Sequence, residues 1–123
     1  MRGHSLLELL VTLALVGLAT AVATLRLAAL GDRFAVEAAA ADLLIAHQRA
    51  RLTALGLAQP VRFEFAATRA TAWSLGTAES SLAWSVPGPA ARGVTLVESP
   101  GPVVMTPAGV TMGVANGRYV LER

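Results

Sequence analysis

Two patterns of apolar and polar positions divide this chain. From Leu6 to Leu25 the residues are apolar almost without interruption, and Glu8 is the one charge among them. From Val61 onward, apolar and polar positions alternate in short runs fenced by Gly and Pro. Leu9 to Leu25 alone is seventeen uncharged residues. As a helix rising about 1.5 Å per residue, that run nearly covers a hydrocarbon core of about 30 Å, and Leu6 and Leu7 complete the span. A secretory signal is the competing reading, since Ala21, Ala23 and Ala28 mimic a small-residue cleavage site. Glu8 argues against it, because a charge inside a membrane segment costs about 2.5–3.5 kcal/mol near the centre, less towards an end, and a signal core gains nothing from it.

Charges return at Arg26, Asp32, Arg33 and Glu37, where the chain is expected to leave apolar surroundings. Gly31-Asp32 is a soft point: Gly costs a helix about 1 kcal/mol and Asp can cap a new stretch, so a kink or brief melt fits there. From Arg33 to Leu55 the period is helical again, with Phe34, Ala38, Ala41, Ile45, Leu52 and Leu55 on one stripe interrupted by Gln48. The alanine-dense first half of this stretch suits close packing against other helices. Gly56 is expected to end the helix, with Pro60 beyond. Together the two stretches predict a rod of about 50 residues, roughly 75 Å long at helical rise.

The remainder predicts strands. Val61, Phe63 and Phe65 alternate with Arg62 and Glu64; Trp73 and Leu75 mark a second strand, Leu82, Trp84 and Val86 a third, Val94 and Leu96 a fourth, and Pro102 to Met105 a fifth. Pro87-Gly88-Pro89 reads as a loop. Val110, Met112 and Val114, then Asn116-Gly117, then Tyr119 and Leu121 predict a hairpin, because a type I′ turn needs positive φ at both central residues. The fold class is therefore α+β: a long N-terminal transmembrane-plus-amphipathic helix followed by a small antiparallel β-rich domain.

Composition changes this picture little. With 123 residues there is room for an anchor and one small domain. The absence of cysteine excludes disulfides, thiolate metal sites and a cysteine nucleophile. All the basic side chains apart from histidine are arginine, and the pI near 10.4 reflects a net charge of only +2, so it is no argument for nucleic acid by itself. His4 and His47 are the only histidines. Neither sits where it can serve a Ser-His-Asp arrangement or share a metal ion with the other, and no Gly-rich loop carries the Lys of a phosphate cradle. The reading is no enzyme, no cofactor and no metal. Trp73 and Trp84 can act as stacking platforms, but alternation places them in the core.

Gly3-His4-Ser5-Leu6-Leu7-Glu8-Leu9-Leu10-Val11 resembles the class III signal of type IV pilins and pseudopilins, in which a short charged leader ends in Gly and an apolar helix follows. The resemblance implies cleavage between Gly3 and His4 by a prepilin peptidase, N-methylation of His4, and an assembly role for Glu8, the fifth residue after the cut. One position departs from the family, which usually has Phe where this chain has His4. The physical sense of the pattern stands beside the resemblance: residues i and i+4 share a helix face, so Glu8 can meet its own new α-amine or that of a neighbouring subunit. The plainer alternative is an acid at the membrane surface complementing the positive end of the helix.

The run from Ala39 to Ala50, then Gln59-Pro60-Val61 and Thr106-Pro107-Ala108-Gly109, is similar to the GspH/FimT-like minor pseudopilins. The resemblance implies a leader at 1–3, a transmembrane and assembly helix at 4–30, an amphipathic helix at 31–56 and a β-rich head at 57–123. It also implies a single-pass protein of a bacterial inner membrane with its head outside the cytoplasm. Its partners would be other pilin or pseudopilin subunits, the peptidase, the inner-membrane assembly platform, membrane lipid before assembly, and secreted cargo or DNA. Two functions follow: a structural subunit of a type II secretion pseudopilus or type IV pilus, or a minor pilin that captures DNA for transformation. DNA-binding members of the branch carry Gly-Arg-x-Arg near the C-terminus; Gly117-Arg118-Tyr119-Val120 matches its first half only, leaving Arg118 and Arg123 as candidate DNA contacts.

Overall fold

The computed structural model describes residues 5–76, 79–112 and 117–123. It is α+β, with one long helix, α1 (Leu6–Leu57, 52 residues), followed by a small antiparallel sheet domain. The strands are β1 (Val61–Phe65), β2 (Arg69–Leu75), β3 (Ser80–Pro87), β4 (Thr95–Glu98), β5 (Val103–Met105), β6 (Thr111–Met112) and β7 (Val120–Glu122), and a 3-10 turn spans Pro89–Arg92. They form a five-stranded sheet in the order β3-β2-β1-β5-β6 and a two-stranded sheet of β4 and β7. The chain divides into two compact units, Met1–Arg33 and Phe34–Arg123.

Helix α1 begins on Ser5, whose Oγ and carbonyl oxygen both accept the Glu8 amide, at 3.3 and 2.9 Å. That is the N-cap arrangement, with the acid in the first turn where the helix end is positive. No break occurs at Gly31-Asp32. A penalty of about 1 kcal/mol for one Gly is outweighed by an established hydrogen-bond ladder that runs on into alanine, the best helix former. The C-terminal stop also differs from expectation. Gly56 lies inside the helix, and the left-handed residue is Ala58, at φ 51°. The Gln59 amide donates to the Ala54 carbonyl and the Ala58 amide to that of Leu55, both at 3.3 Å, which is the Schellman pattern.

Within the second unit, α1 packs through alanine. Ala46, Ala50 and Ala54, spaced four apart, join Val61, Phe63 and Phe65 of β1, Ala70 and Ala72 of β2, and Met105 of β5 in one core. The sheet supplies the bulk, so the facing helix side chains must be small for the two layers to close at interior density. The stripe predicted from the sequence lies elsewhere: Phe34, Ile45 and Leu52 are 64%, 63% and 67% exposed, and Leu55 is exposed as well. Size ranked these residues as core, but volume complementarity to Phe63, Phe65 and Met105 decides which helix face turns inward.

Two further expectations differ from the structure. Ala72 lies opposite Trp84 but the next residue, Trp73, lies opposite Leu82, so Ala83 is an extra residue and β3 carries a bulge. Leu82 is thereby moved to the opposite sheet face from Trp84 and Val86. Trp73 falls on that outer face too and is exposed, whereas Trp84 packs against the core. The strands flanking Asn116-Gly117 do not pair with each other: β6 pairs with β5, and β7 pairs with β4. Tyr119 and Leu121 pack against the core, with the Tyr119 ring edge-on to Phe65 at 5.6 Å. Val114 and Asn116 lie outside the described residues.

Gly88 holds the corner after β3. A Cβ there would come within 2.6 Å of the Ala66 and Ala67 carbonyl oxygens, so the β1–β2 turn can approach only glycine. The Gly88 amide donates to Thr68 and the Ala90 amide to Ala67, each at 2.9 Å, which fixes that approach.

Candidate functional site

From Ser5 to Phe34 every side chain is exposed, including Leu6, Leu10, Val16 and Leu25. The helix is long and apolar enough to cross a membrane. Its hydroxyls suit such surroundings, because Thr12, Thr20 and Thr24 donate back to the carbonyls of Leu9, Val16 and Ala21 at 2.8–2.9 Å. Each polar side chain between Leu9 and Leu25 is thus satisfied within the helix, as a lipid or helix–helix environment demands. An apolar surface of this extent is not one that water tolerates on a folded protein. Glu8 sits in the first turn, beside the Ser5 cap. Gly3 and His4 lie outside the described residues.

In the second unit, Phe34, Ala41, Ile45, Leu52 and Leu55 continue an exposed apolar face on α1, away from the alanines that meet the sheet. The edge of the helix between that face and the alanines is tied to β3 and its neighbours. The Trp84 indole donates to Thr53 Oγ1 at 3.1 Å, the Arg49 guanidinium lies 4.9 Å from the Trp84 ring centre, and Arg92 Nε meets Asp42 Oδ2 at 2.6 Å. This pairing with Asp42 raises the Arg92 pKa further.

His47 is half-buried with its ring edge-on to Phe63, centroids 5.9 Å apart. Burial, and secondarily the charge of Arg51, lower its pKa below the usual histidine value. The ring is a packed, neutral core neighbour. Among the described residues no group of three or more His, Asp or Glu side chains can hold a metal ion. Shallow clefts flank β3: one of 340 Å³ lined by Arg62, Glu64, Trp73, Leu75 and Ser80, and one of 170 Å³ lined by residues including Ile45, Arg49 and Trp84.

Arg118, the first candidate DNA contact, is engaged. Its Nε lies 2.8 Å from Glu98 Oε2, a bond between the strand β4 and the residues leading into β7. The pair is exposed, with side chains 77% and 50% accessible. Arg123 is exposed at the chain end. What sequence reading missed is a row on the open face of the larger sheet, Leu82–Trp73–Arg62–Val104–Met112, one residue from each strand. Only the bulge at Ala83 brings Leu82 into that row, and no residue type announces a bulge.

No known protein-family profile, characterised protein or solved structure matches this chain.

Proposed function

We propose that this chain is a minor pilin-like or pseudopilin-like structural subunit, anchored in a bacterial inner membrane by α1 and assembled into a filament through the same helix after removal of Met1 to Gly3. The observation that carries the reading is a helix whose apolar residues are exposed from Leu6 to Leu30, followed by an exposed apolar face of Phe34, Ala41, Ile45, Leu52 and Leu55. The first part suits lipid or other helices; the second is an apolar face the head leaves uncovered. Glu8, in the first turn, then registers each helix against the amine of a neighbouring subunit, and the head meets other subunits or cargo. Nothing observed favours DNA capture over this reading, since Arg118 is shared with Glu98 in an exposed ion pair.

Intact-mass analysis of the chain recovered from membranes of a strain with a prepilin peptidase tests the reading. The expected product starts at His4 and carries one added methyl; a chain still starting at Met1 overturns it. Glu8→Ala is expected to leave cleavage intact and to reduce incorporation into filaments at least tenfold.

A further inference from the structure

We propose that the open face of the larger sheet carries a saccharide-binding subsite, a shallow cleft in which one pyranose ring of an uncharged glycan lies on Trp73 and bonds Arg62 and Glu64. The inference concerns the head alone and holds whether or not the chain assembles through α1. The cleft measures 340 Å³ and is lined by Arg62 and Glu64 of β1, Trp73 and Leu75 of β2 and Ser80 of β3. That is the lower end of the range for small-ligand sites. Strand register puts these residues together: Arg62 lies directly across from Trp73, Leu75 follows Trp73 on the same face, and Ser80 lies across from Leu75. Val61, Phe63, Ala72 and Ser74 alternate with them and are buried, so the cleft stands on a packed floor.

The cleft is marked by groups that the head leaves unused. Neither Arg62 nor Glu64 makes an ion pair or a side-chain hydrogen bond among the described residues, although Glu64 is half-buried. Trp73 is exposed, whereas Trp84 packs against the core and donates to Thr53. An indole left in water gains from a flat apolar partner.

The chemistry of the lining narrows the ligand. Arginine only donates hydrogen bonds and an ionised glutamate only accepts them. An anion is repelled by Glu64 and a cation by Arg62. A wholly apolar partner would strip water from both charges and replace none of it. The ligand that fits is neutral, offers donors and acceptors side by side, and has a flat apolar face. A pyranose with equatorial hydroxyls combines these on one rigid ring: each rim hydroxyl both donates and accepts, and the faces are C–H bonds. Arg62 and Glu64, two residues apart on one strand, stand about 7 Å apart and so reach different hydroxyls. A peptide divides the same features between side chains and backbone, and its backbone is recognised at a sheet edge rather than on a face.

Saturation-transfer NMR on the full-length chain, in micelles of a detergent without a sugar head group, tests the proposal with cellotetraose as the probe. Binding is expected with a Kd of about 1 mM and with saturation strongest at the ring C–H protons. Trp73→Ala is expected to weaken it at least tenfold, and Arg62→Gln and Glu64→Gln several-fold each, since each removes a charge-assisted bond. Met112→Ala, on the same sheet face but outside the cleft, is expected to leave binding unchanged. Because the ligand is uncharged, about 0.5 M salt should shift the Kd less than twofold. Circular dichroism and Trp84 fluorescence verify that each variant is folded. No saturation at about 20 mM cellotetraose, undiminished binding by Trp73→Ala, or equal binding of end-blocked tetra-alanine would each overturn the proposal.

Discussion

The two ends of helix α1 solve opposite problems with the same kind of residue. Before Arg33 the helix is uncharged on every side from Leu9 to Leu25 and none of its described side chains is buried; after Phe34 its buried residues are Ala39, Ala46, Ala50 and Ala54. In both parts most of the large aliphatic residues face outward, with Leu43, packed against the core, and half-buried Val36 the exceptions among the described residues. The comparison teaches that hydrophobic size marks what a helix offers to its surroundings in this protein, and smallness marks where its own head is attached.

A matched pair of phenylalanines is the sharpest way to break that contrast. Phe63 is 0% exposed at the centre of the head and Phe34 is 64% exposed on the helix. Phe63→Ala is expected to destabilise the head by about 3–5 kcal/mol. Phe34→Ala should change stability by no more than about 0.5 kcal/mol, as an exposed substitution does. Urea titration of the full chain in detergent, followed through tryptophan fluorescence, measures both. Comparable losses from the two would mean that the helix face bearing Phe34 is packed after all.

Overpacking the attachment face comes next. Ala50→Leu inserts three carbons where the residue is 0% exposed against β1 and β2, and is expected to cost about 1–3 kcal/mol. Leu52→Ala, two residues on and 67% exposed, is expected to be near neutral in the same titration. Gly88→Ala belongs to this class for a backbone reason: its Cβ would meet two carbonyl oxygens at 2.6 Å, and about 1–3 kcal/mol is expected. A smaller effect of opposite sign is expected at the helix stop. Ala58 holds a left-handed conformation that costs an L-residue about 1–2 kcal/mol, so Ala58→Gly should raise stability by about 0.5–1 kcal/mol after glycine's own entropy loss.

Much of this layout is legible in the sequence, and particular residues show where legibility stops. The uncharged run from Leu9 to Leu25 predicts the long apolar helix, and the alternation of Val61, Phe63 and Phe65 predicts β1, because both depend on local period alone. The helix face that meets the sheet does not, since it depends on how much volume Phe63, Phe65 and Met105 already occupy. The sequence misplaces Leu82 because one extra residue, Ala83, reverses alternation in β3 without any compositional sign, and Trp73 because the small Ala70, Ala72 and Ser74 of β2 are the ones that face the core. Val114 and Asn116 of the expected hairpin lie outside the described residues; among the described ones β6 pairs with β5 and β7 with β4, and Tyr119 and Leu121 pack against the core. Of the candidate site, Glu8 is placed in the first turn, Arg118 is placed against Glu98, and the Gly3/His4 pair rests on sequence alone.

His47 carries the smallest expected effect, and it probes the attachment face through its protonation. The ring lies against Phe63, and burial, with Arg51 adding repulsion, holds its pKa below the unfolded value of about 6.5. Between the lowered folded pKa and 6.5, the unfolded chain binds more protons than the folded one, so stability rises with pH across that window. The contribution is fully present above about 6.5 and is lost as pH falls through the window. Below the folded pKa no further loss comes from this group. Thermal melts of the full chain at pH 7.5 and 5.5 should therefore show a lower Tm at the acidic value, and His47→Gln should remove most of the difference. An unchanged difference in that variant would assign the dependence to carboxylates instead, and would mean that His47 meets water at the face where the alanines of α1 join the sheet.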